Sequence, residues 1–162
     1  MIARLSGMFP RKPTNVGDRL LPLPADQTIP DMPGWIWIHT PGHTPGHVSL
    51  WRASDRCIVA GDAFITTKQE SAYAVAAQTL ELHGPPAYFT QDWSAAGASV
   101  RRLAALEPDI AITGHGRPVQ GDELSSGLHS LADDFDMVAV PERGKYVTRP
   151  ATAEDGTAYD TP

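Results

Sequence analysis

Between His39 and His47 the chain reads His-Thr-Pro-Gly-His-Thr-Pro-Gly-His, two consecutive copies of Thr-Pro-Gly-His and the only repeat in the sequence. A four-residue period would suit a helix. The proline and glycine in each copy exclude one, because proline removes an amide donor and clashes with the preceding turn, while glycine loses more backbone entropy than any other residue. The stretch is therefore a bent connection whose three histidines need not share a face, and at most one or two are expected to point into one site. Both flanks are apolar and rich in β-formers. Trp35-Ile36-Trp37-Ile38 precedes the connection, and His47-Val48-Ser49-Leu50-Trp51 follows it with period-two alternation. A turn at Ala53-Ser54-Asp55-Arg56 leads into a third run, Cys57-Ile58-Val59-Ala60-Gly61-Asp62. Three neighbouring antiparallel strands are expected, with Trp35, Trp37 and Trp51 as core or strand-pair residues.

The remaining elements follow from punctuation and periodicity. Residues 1–33 hold Pro10, Pro13, Pro22, Pro24, Pro30 and Pro33, which predicts extended segments and turns. A helix is expected over 69–82, and a loop over 83–88, where Pro85-Pro86 cannot continue it. Asp92 is placed to cap a helix running through Glu107, with Val100, Leu103 and Ala104 on its inner face, Arg101 and Arg102 outside, and Pro108 as the stop. Asp109 to Thr113 reads as a strand. Leu124, Leu128, Leu131 and Phe135 fall within about 60° of one another at about 100° per residue, which predicts an amphipathic helix capped by Asp122. Met137-Val138-Ala139-Val140 reads as a short strand-like piece before a polar, acidic tail that frays.

Bulk properties narrow the function classes. With 162 residues and 41% apolar content, one soluble domain with its own core is expected. A net charge of -6 and a pI near 5.4 offer no footprint for nucleic acid or an anionic membrane. The stretch from Met32 to Trp51 is uncharged, but its prolines, glycines and histidines would leave backbone groups unsatisfied in lipid. The N-terminus shows no apolar stretch long enough for a signal peptide. The lone Cys57 cannot form an internal disulfide and reads as a buried, inert thiol, so a cytoplasmic setting is expected.

The chemistry is concentrated in three turns. His43 follows Gly42, Asp62 follows Gly61, and His115 lies between Gly114 and Gly116, each beside a strand end. Imidazole and carboxylate are donors that zinc and similar ions favour, and a small neighbour leaves room for the ion. The segments Thr40-Pro41-Gly42-His43-Thr44-Pro45-Gly46-His47, Ala60-Gly61-Asp62-Ala63 and Thr113-Gly114-His115-Gly116-Arg117-Pro118 resemble the metallo-β-lactamase superfamily of metal-dependent hydrolases. The likeness runs from about Arg4 to Val147. It implies a partial domain over residues 1–147, followed by a polar tail over 148–162. That domain would be α/β, the C-terminal part of an αββα sandwich with a mostly antiparallel sheet and helices on its outer face. The resemblance further implies one or two divalent ions, zinc first. His43 would be the third histidine on the first metal, Asp62 the carboxylate bridging both, and His115 the last histidine on the second.

The family's H-x-H-x-D-H motif, which supplies the other ligands, has no counterpart here, since no histidine precedes His39. Weak metal binding by this chain alone is expected. The implied activity is hydrolysis of an ester, lactone, thioester or related bond in a small-molecule substrate by a metal-bound hydroxide. The alternative is a non-catalytic fragment or subunit that needs a separate N-terminal half, or a homodimer; a start assigned downstream of the true one would give the same pattern. No catalytic residue beyond the metal ligands is expected, as no G-x-S-x-G, C-x-x-C or P-loop motif occurs. Thr66, Lys68 and Tyr88, with Thr67, are candidate pocket residues. His39 and His47 are expected to serve structure, His83 and His129 to be solvated, and Asp92 to cap a helix rather than act as a base.

Overall fold

The computed structural model describes residues 17–67, 80–152 and 154–157. Three antiparallel strands form as the alternation requires: β1 (Trp35–His39), β2 (Val48–Arg52) and β3 (Cys57–Gly61). A long crossover containing α1 (Trp93–Ala104) then brings β4 (Ile110–Thr113) parallel to β3, and β5 (Val119–Gln120) closes the order β1-β2-β3-β4-β5. The helices α2 (Gly121–Asp133) and α3 (Phe135–Val138) follow. This is the expected α/β arrangement, a mostly antiparallel sheet with its helices on one face. The register explains which face. Ile36, Trp51, Ile58, Ala111 and Val119 are direct cross-strand neighbours, and all but the partly buried Ile36 are buried in one core with Val100, Leu103, Leu124, Leu128, Leu131 and Phe135 of the helices. The opposite row, Trp37, Leu50, Val59 and Ile112, is half-buried to exposed.

Strand direction decides where the site must lie. β2 runs against both β1 and β3, so β1 and β3 run the same way, and β4 is parallel to β3. The carboxyl ends of β1, β3 and β4 therefore share one edge of the sheet. The connection after His39, Asp62 after Gly61, and His115 two residues after Thr113 all emerge there.

Several local expectations change. Residues 69–79 of the expected helix lie outside the described residues, and its end is not helical: His83 and Ile65 exchange backbone hydrogen bonds of 2.9 Å as an isolated bridge. The piece 137–140 is no strand. After Asp134 the chain makes a short helix, with Phe135 buried and Met137 and Val138 exposed, and its residues join none of the five strands. Asp122 does not cap α2; Gln120 occupies that position without a side-chain cap bond, and Asp122 sits in the first turn, where its charge favours the helix dipole. Asp92 does cap α1, its carboxylate accepting from the Ala95 amide at 2.9 Å, although the helix ends at Ala104 rather than Glu107. The two-residue β5 is too short to leave a periodic signal. Trp51 is core as expected, Trp35 lies under the Arg52 guanidinium at 4.5 Å, and Trp37 donates from its indole to the Pro24 carbonyl at 2.9 Å.

Leu103 is fully buried between the helices and the sheet. Leu103→Ala should lower unfolding free energy by about 3 kcal/mol, read from the shift of a urea transition, with the folded circular dichroism unchanged.

Candidate metal centre

His43 reaches the sheet edge because its loop is tied to α1. The Gly42 carbonyl accepts from the amides of Gln91 and Asp92 at 3.0 and 2.9 Å, and Ser99 donates to the Pro41 carbonyl at 2.7 Å. Gly42 has φ 135°, and a Cβ there would overlap the backbone of Ala96, so the motif's glycine is the contact itself. The His43 ring is then oriented from behind. Thr90 donates its hydroxyl proton to the Pro86 carbonyl at 2.8 Å, which leaves its oxygen to accept from His43 Nδ1 at 3.3 Å. With the ring proton held on Nδ1, the Nε2 lone pair faces outward.

Asp62 is set by β3 and by the second copy of the repeat. The register between β3 and β4 slips between Val59 and Gly61, a bulge that turns the end of β3 away from regular pairing. Gly61 has φ 58°, and the Asp62 amide donates to His47 Nε2 at 3.0 Å. His47 Nδ1 in turn donates toward Thr40, whose carbonyl and hydroxyl oxygens lie at 3.1 and 2.8 Å. Thr40 continues to the Ser49 hydroxyl at 2.9 Å, and Ser49 donates to the Ala60 carbonyl at 3.0 Å. His47 thus spends both ring nitrogens on holding the Asp62 turn, and His39 spends Nε2 on the Pro45 carbonyl at 2.7 Å.

His115 completes the edge. Gly114 donates to the Gly61 carbonyl at 2.8 Å, and a Cβ at Gly114 would overlap Asp62 Oδ1. Thr66 grips the other side: its amide donates to the His115 carbonyl at 3.1 Å and its hydroxyl to the Arg117 carbonyl at 2.7 Å. Thr113 adds a bond to the His115 carbonyl at 2.8 Å. Thr66, a candidate pocket residue, is fully buried with its hydroxyl committed to the turn. Thr67 is buried as well, and Lys68 lies outside the described residues. Tyr88 is 47% exposed and lines a cleft of about 390 Å³ with Thr90 and Trp93.

The structure brings the three expected ligands together. His43 Nε2 lies 3.4 Å from Asp62 Oδ2, and His115 Nε2 lies 3.5 Å from Asp62 Oδ1. Asp62 Oδ1 is buried and has no hydrogen-bond donor among the described residues. Burial pushes His43 below the usual imidazole range, outweighing the pull of Asp62 in the other direction, and His47 and His115 push it further the same way. A neutral Nε2 and a carboxylate oxygen both present lone pairs, which is donor chemistry that a divalent ion accepts. No three His, Cys, Asp or Glu side chains converge on one ion among the described residues. The other histidines are accounted for: His83 is half-buried rather than solvated and pairs with Glu81 at 3.0 Å, and the more exposed His129 pairs with Glu107 at 3.0 Å. Sequence reasoning missed Thr90 and the clasp by Thr66. Only tertiary contact reveals them, since Thr90 stands 47 residues from His43 and Thr66 51 from Arg117.

Burial also lowers His47, against the opposing pull of the Thr40 carbonyl and Asp62. The unfolded chain takes up protons on His43 and His47 near the ordinary value of 6.5, the native chain only at lower pH. Stability from these rings is therefore complete above that value and lost as pH falls below it. Melting of the metal-free chain should drop between about pH 7.5 and about pH 5, and less so in His47→Gln than in the parent. A parent melting temperature that stays level across that interval contradicts the assignment.

Comparison with known proteins gives a consistent picture. The chain is 48% identical over 138 residues to "Probable metallo-hydrolase YflN" of Bacillus subtilis, a match covering 85% of this chain and 52% of that protein. It is 30% identical over 110 residues to "Probable metallo-hydrolase YybB" of the same organism, covering 68% of this chain and 44% of the other. The chain thus spans about half the length of these curated relatives. Among solved structures it is similar to the archaeal metallo-beta-lactamase superfamily protein ST1585 of Sulfolobus tokodaii, at 18% identity and a TM-score of 0.42, covering 70% of this chain and 40% of that one. Residues 3–115 match the metallo-beta-lactamase superfamily as a whole, and the chain belongs to that superfamily.

Proposed function

We propose that this chain carries one part of the metal centre of a metal-dependent hydrolase, in which His43 and Asp62 hold one divalent ion and Asp62 and His115 a second. The observation that supports this reading is that the two oxygens of one carboxylate each face one imidazole nitrogen, at 3.4 and 3.5 Å. Two donors at about 2.0–2.2 Å from a tetrahedral ion stand about 3.4 Å apart, so each pair has the spacing of one edge of a zinc site. Nitrogen and oxygen donors without sulfur suit zinc first among the candidates. When bound, such an ion supplies water activation near neutral pH and polarises the bond to be cleaved, here an ester, lactone, thioester or related bond of a small molecule.

The chain's own residues position and orient. Thr90 keeps the His43 proton on Nδ1, His47 fixes the backbone of Asp62, and the Thr66 clasp fixes that of His115. One imidazole and one carboxylate oxygen per ion fall short of the three protein ligands of an ordinary catalytic zinc. All six histidines of the sequence lie in the described residues; His39, His47 and His129 are hydrogen-bonded elsewhere, and His83 stands 3.0 Å from Glu81. Further donors would come from outside the described residues, from a segment N-terminal to this sequence, a separate N-terminal half or a second copy of this chain. The row Trp37, Leu50, Val59 and Ile112, on the face without helices, offers any of these an apolar surface. Among the described residues no helix is long and apolar enough to cross a membrane. Cys57 is a buried free thiol, raised by that burial, which fits a cytoplasmic setting.

Cobalt titration followed by visible absorption tests the ligand set. Asp62→Ala should abolish binding, while His43→Ala and His115→Ala should each leave one of two equivalents; unchanged binding in Asp62→Ala would refute the centre. Thr90→Val should weaken the His43 ion by roughly 10–100-fold, with the other ion unaffected. Hydrolysis of p-nitrophenyl acetate by the zinc-loaded chain should rise on adding, as a separate polypeptide, the part of the Bacillus subtilis relative that this chain does not match. Tightly held zinc and full turnover by the chain alone would eliminate the need for a partner.

A further inference from the structure

Beside the metal centre, and sharing Thr90 with it, lies the cleft of about 390 Å³ whose walls include Tyr88, Trp93, Arg143, Lys145 and Tyr146. Its composition differs from the rest of the chain, which is acidic overall with a net charge of -6. Arg52, Arg56 and Arg101 pair with Asp55, Asp109 and Asp136, whereas Arg143, like Arg102 and Arg117, is in no such ion pair among the described residues. The Lys145 ammonium stands 4.8 Å over the Tyr146 ring, which fixes its position at the same wall. Tyr146 itself is 8% exposed, and its buried hydroxyl has no hydrogen-bond partner among the described residues. A buried hydroxyl is normally satisfied, so one left open in the wall of a cleft marks a bond reserved for an occupant.

We infer that this cleft binds a small organic anion, its carboxylate or phosphate meeting Arg143, Lys145 and the Tyr146 hydroxyl and its flat apolar body lying against Tyr88 and Trp93. A guanidinium and a carboxylate or phosphate form paired, charge-assisted hydrogen bonds, and tyrosine and tryptophan supply broad apolar walls. Thr90 lines the cleft and also bonds to His43, which places the bound anion next to the first ion's imidazole. The identification of that anion as one end of the hydrolysed substrate rests on the metal-dependent reading; the binding itself does not.

The test is an NMR titration of the full chain, in parallel series with and without cobalt, using benzoate, phenyl phosphate, inorganic phosphate and benzyl alcohol as probes. Benzoate, phenyl phosphate or both should shift the signals of Tyr88, Trp93, Arg143 and Tyr146 saturably at millimolar concentration, and the stronger of the two identifies a carboxylate or a phosphoryl ligand. Benzyl alcohol should bind at least tenfold more weakly. Arg143→Ala should weaken the preferred anion roughly tenfold or more. Tyr146→Phe should weaken it severalfold while melting at the same or a higher temperature, because the hydroxyl it removes has no partner in the free protein. A hydroxyl that served only the fold would instead lower the melting temperature. That result, equal binding of benzyl alcohol, or unchanged affinity in both variants would overturn the inference. Inorganic phosphate binding as tightly as phenyl phosphate would overturn the role of Tyr88 and Trp93. Anion binding that persists without cobalt, beside a failed cobalt titration, would defeat the metal reading alone.

Discussion

The Asp62 carboxylate lies between two imidazoles with one oxygen shut off from every hydrogen-bond donor of the described residues, and the surrounding turns are built to keep it there. An ionised carboxylate deprived of water is costly unless a positive charge or a set of donors replaces the hydration. His43 does not supply that charge, because burial disfavours its protonated form more than the carboxylate favours it. Within each imidazole–carboxylate pair the two partners thus present lone pairs to each other, the donor chemistry that the proposed cation would take. The same burial that keeps His43 neutral keeps its lone pair available as a ligand.

Holding this geometry requires control of backbone as much as of side chains, and two hydrogen-bond chains provide it. One runs from Asp62 through His47, Thr40 and Ser49 back to Ala60, on the same strand that presents Asp62. The other runs from His43 through Thr90 to Pro86. Both run through the repeated Thr-Pro-Gly-His, yet the copies do different work: the first histidine turns Nε2 toward the Asp62 carboxylate, and the second is spent on the Asp62 backbone. A four-residue repeat in a bent loop gives consecutive histidines different directions, which is why identical tetrapeptides do not yield identical roles.

This difference also shows what the sequence could disclose. The meeting of the three candidate ligands at one sheet edge was legible because each stands beside a glycine at the end of an apolar run, and those runs alternate strongly enough to locate β1, β2 and β3. His39 and His47 were legible as structural by their position at strand ends, though the atoms they bind were not. Thr66 illustrates the limit. Its closeness to Asp62 in sequence suggested a pocket residue, but the chain brings it under the His115 turn, where Gly116, with φ 97°, has no side chain to obstruct it. The segment 137–140 failed for a related reason. Its apolar pattern fits a strand, but Phe135 is buried in the core and the backbone from Phe135 closes a helical turn, the Ala139 amide donating to the Phe135 carbonyl at 2.9 Å.

The parallel pairing of β3 with β4 carries the largest consequence of the topology. Had β4 followed β3 through a hairpin, the strands would be antiparallel and His115 would emerge at the edge opposite Asp62. The crossover through α1 reverses the chain twice and returns it in the same direction, so both turns open on one side. The crossover helix then becomes part of the site, because its first turn and the residues before it receive the Gly42 carbonyl and place Thr90 behind His43. The core residues that anchor α1, Val100 and Leu103, are fully buried and far along the helix from this contact. Packing of the hydrophobic core and alignment of the His43 ring are thus properties of one rigid element, and the sheet edge alone would leave His43 without orientation.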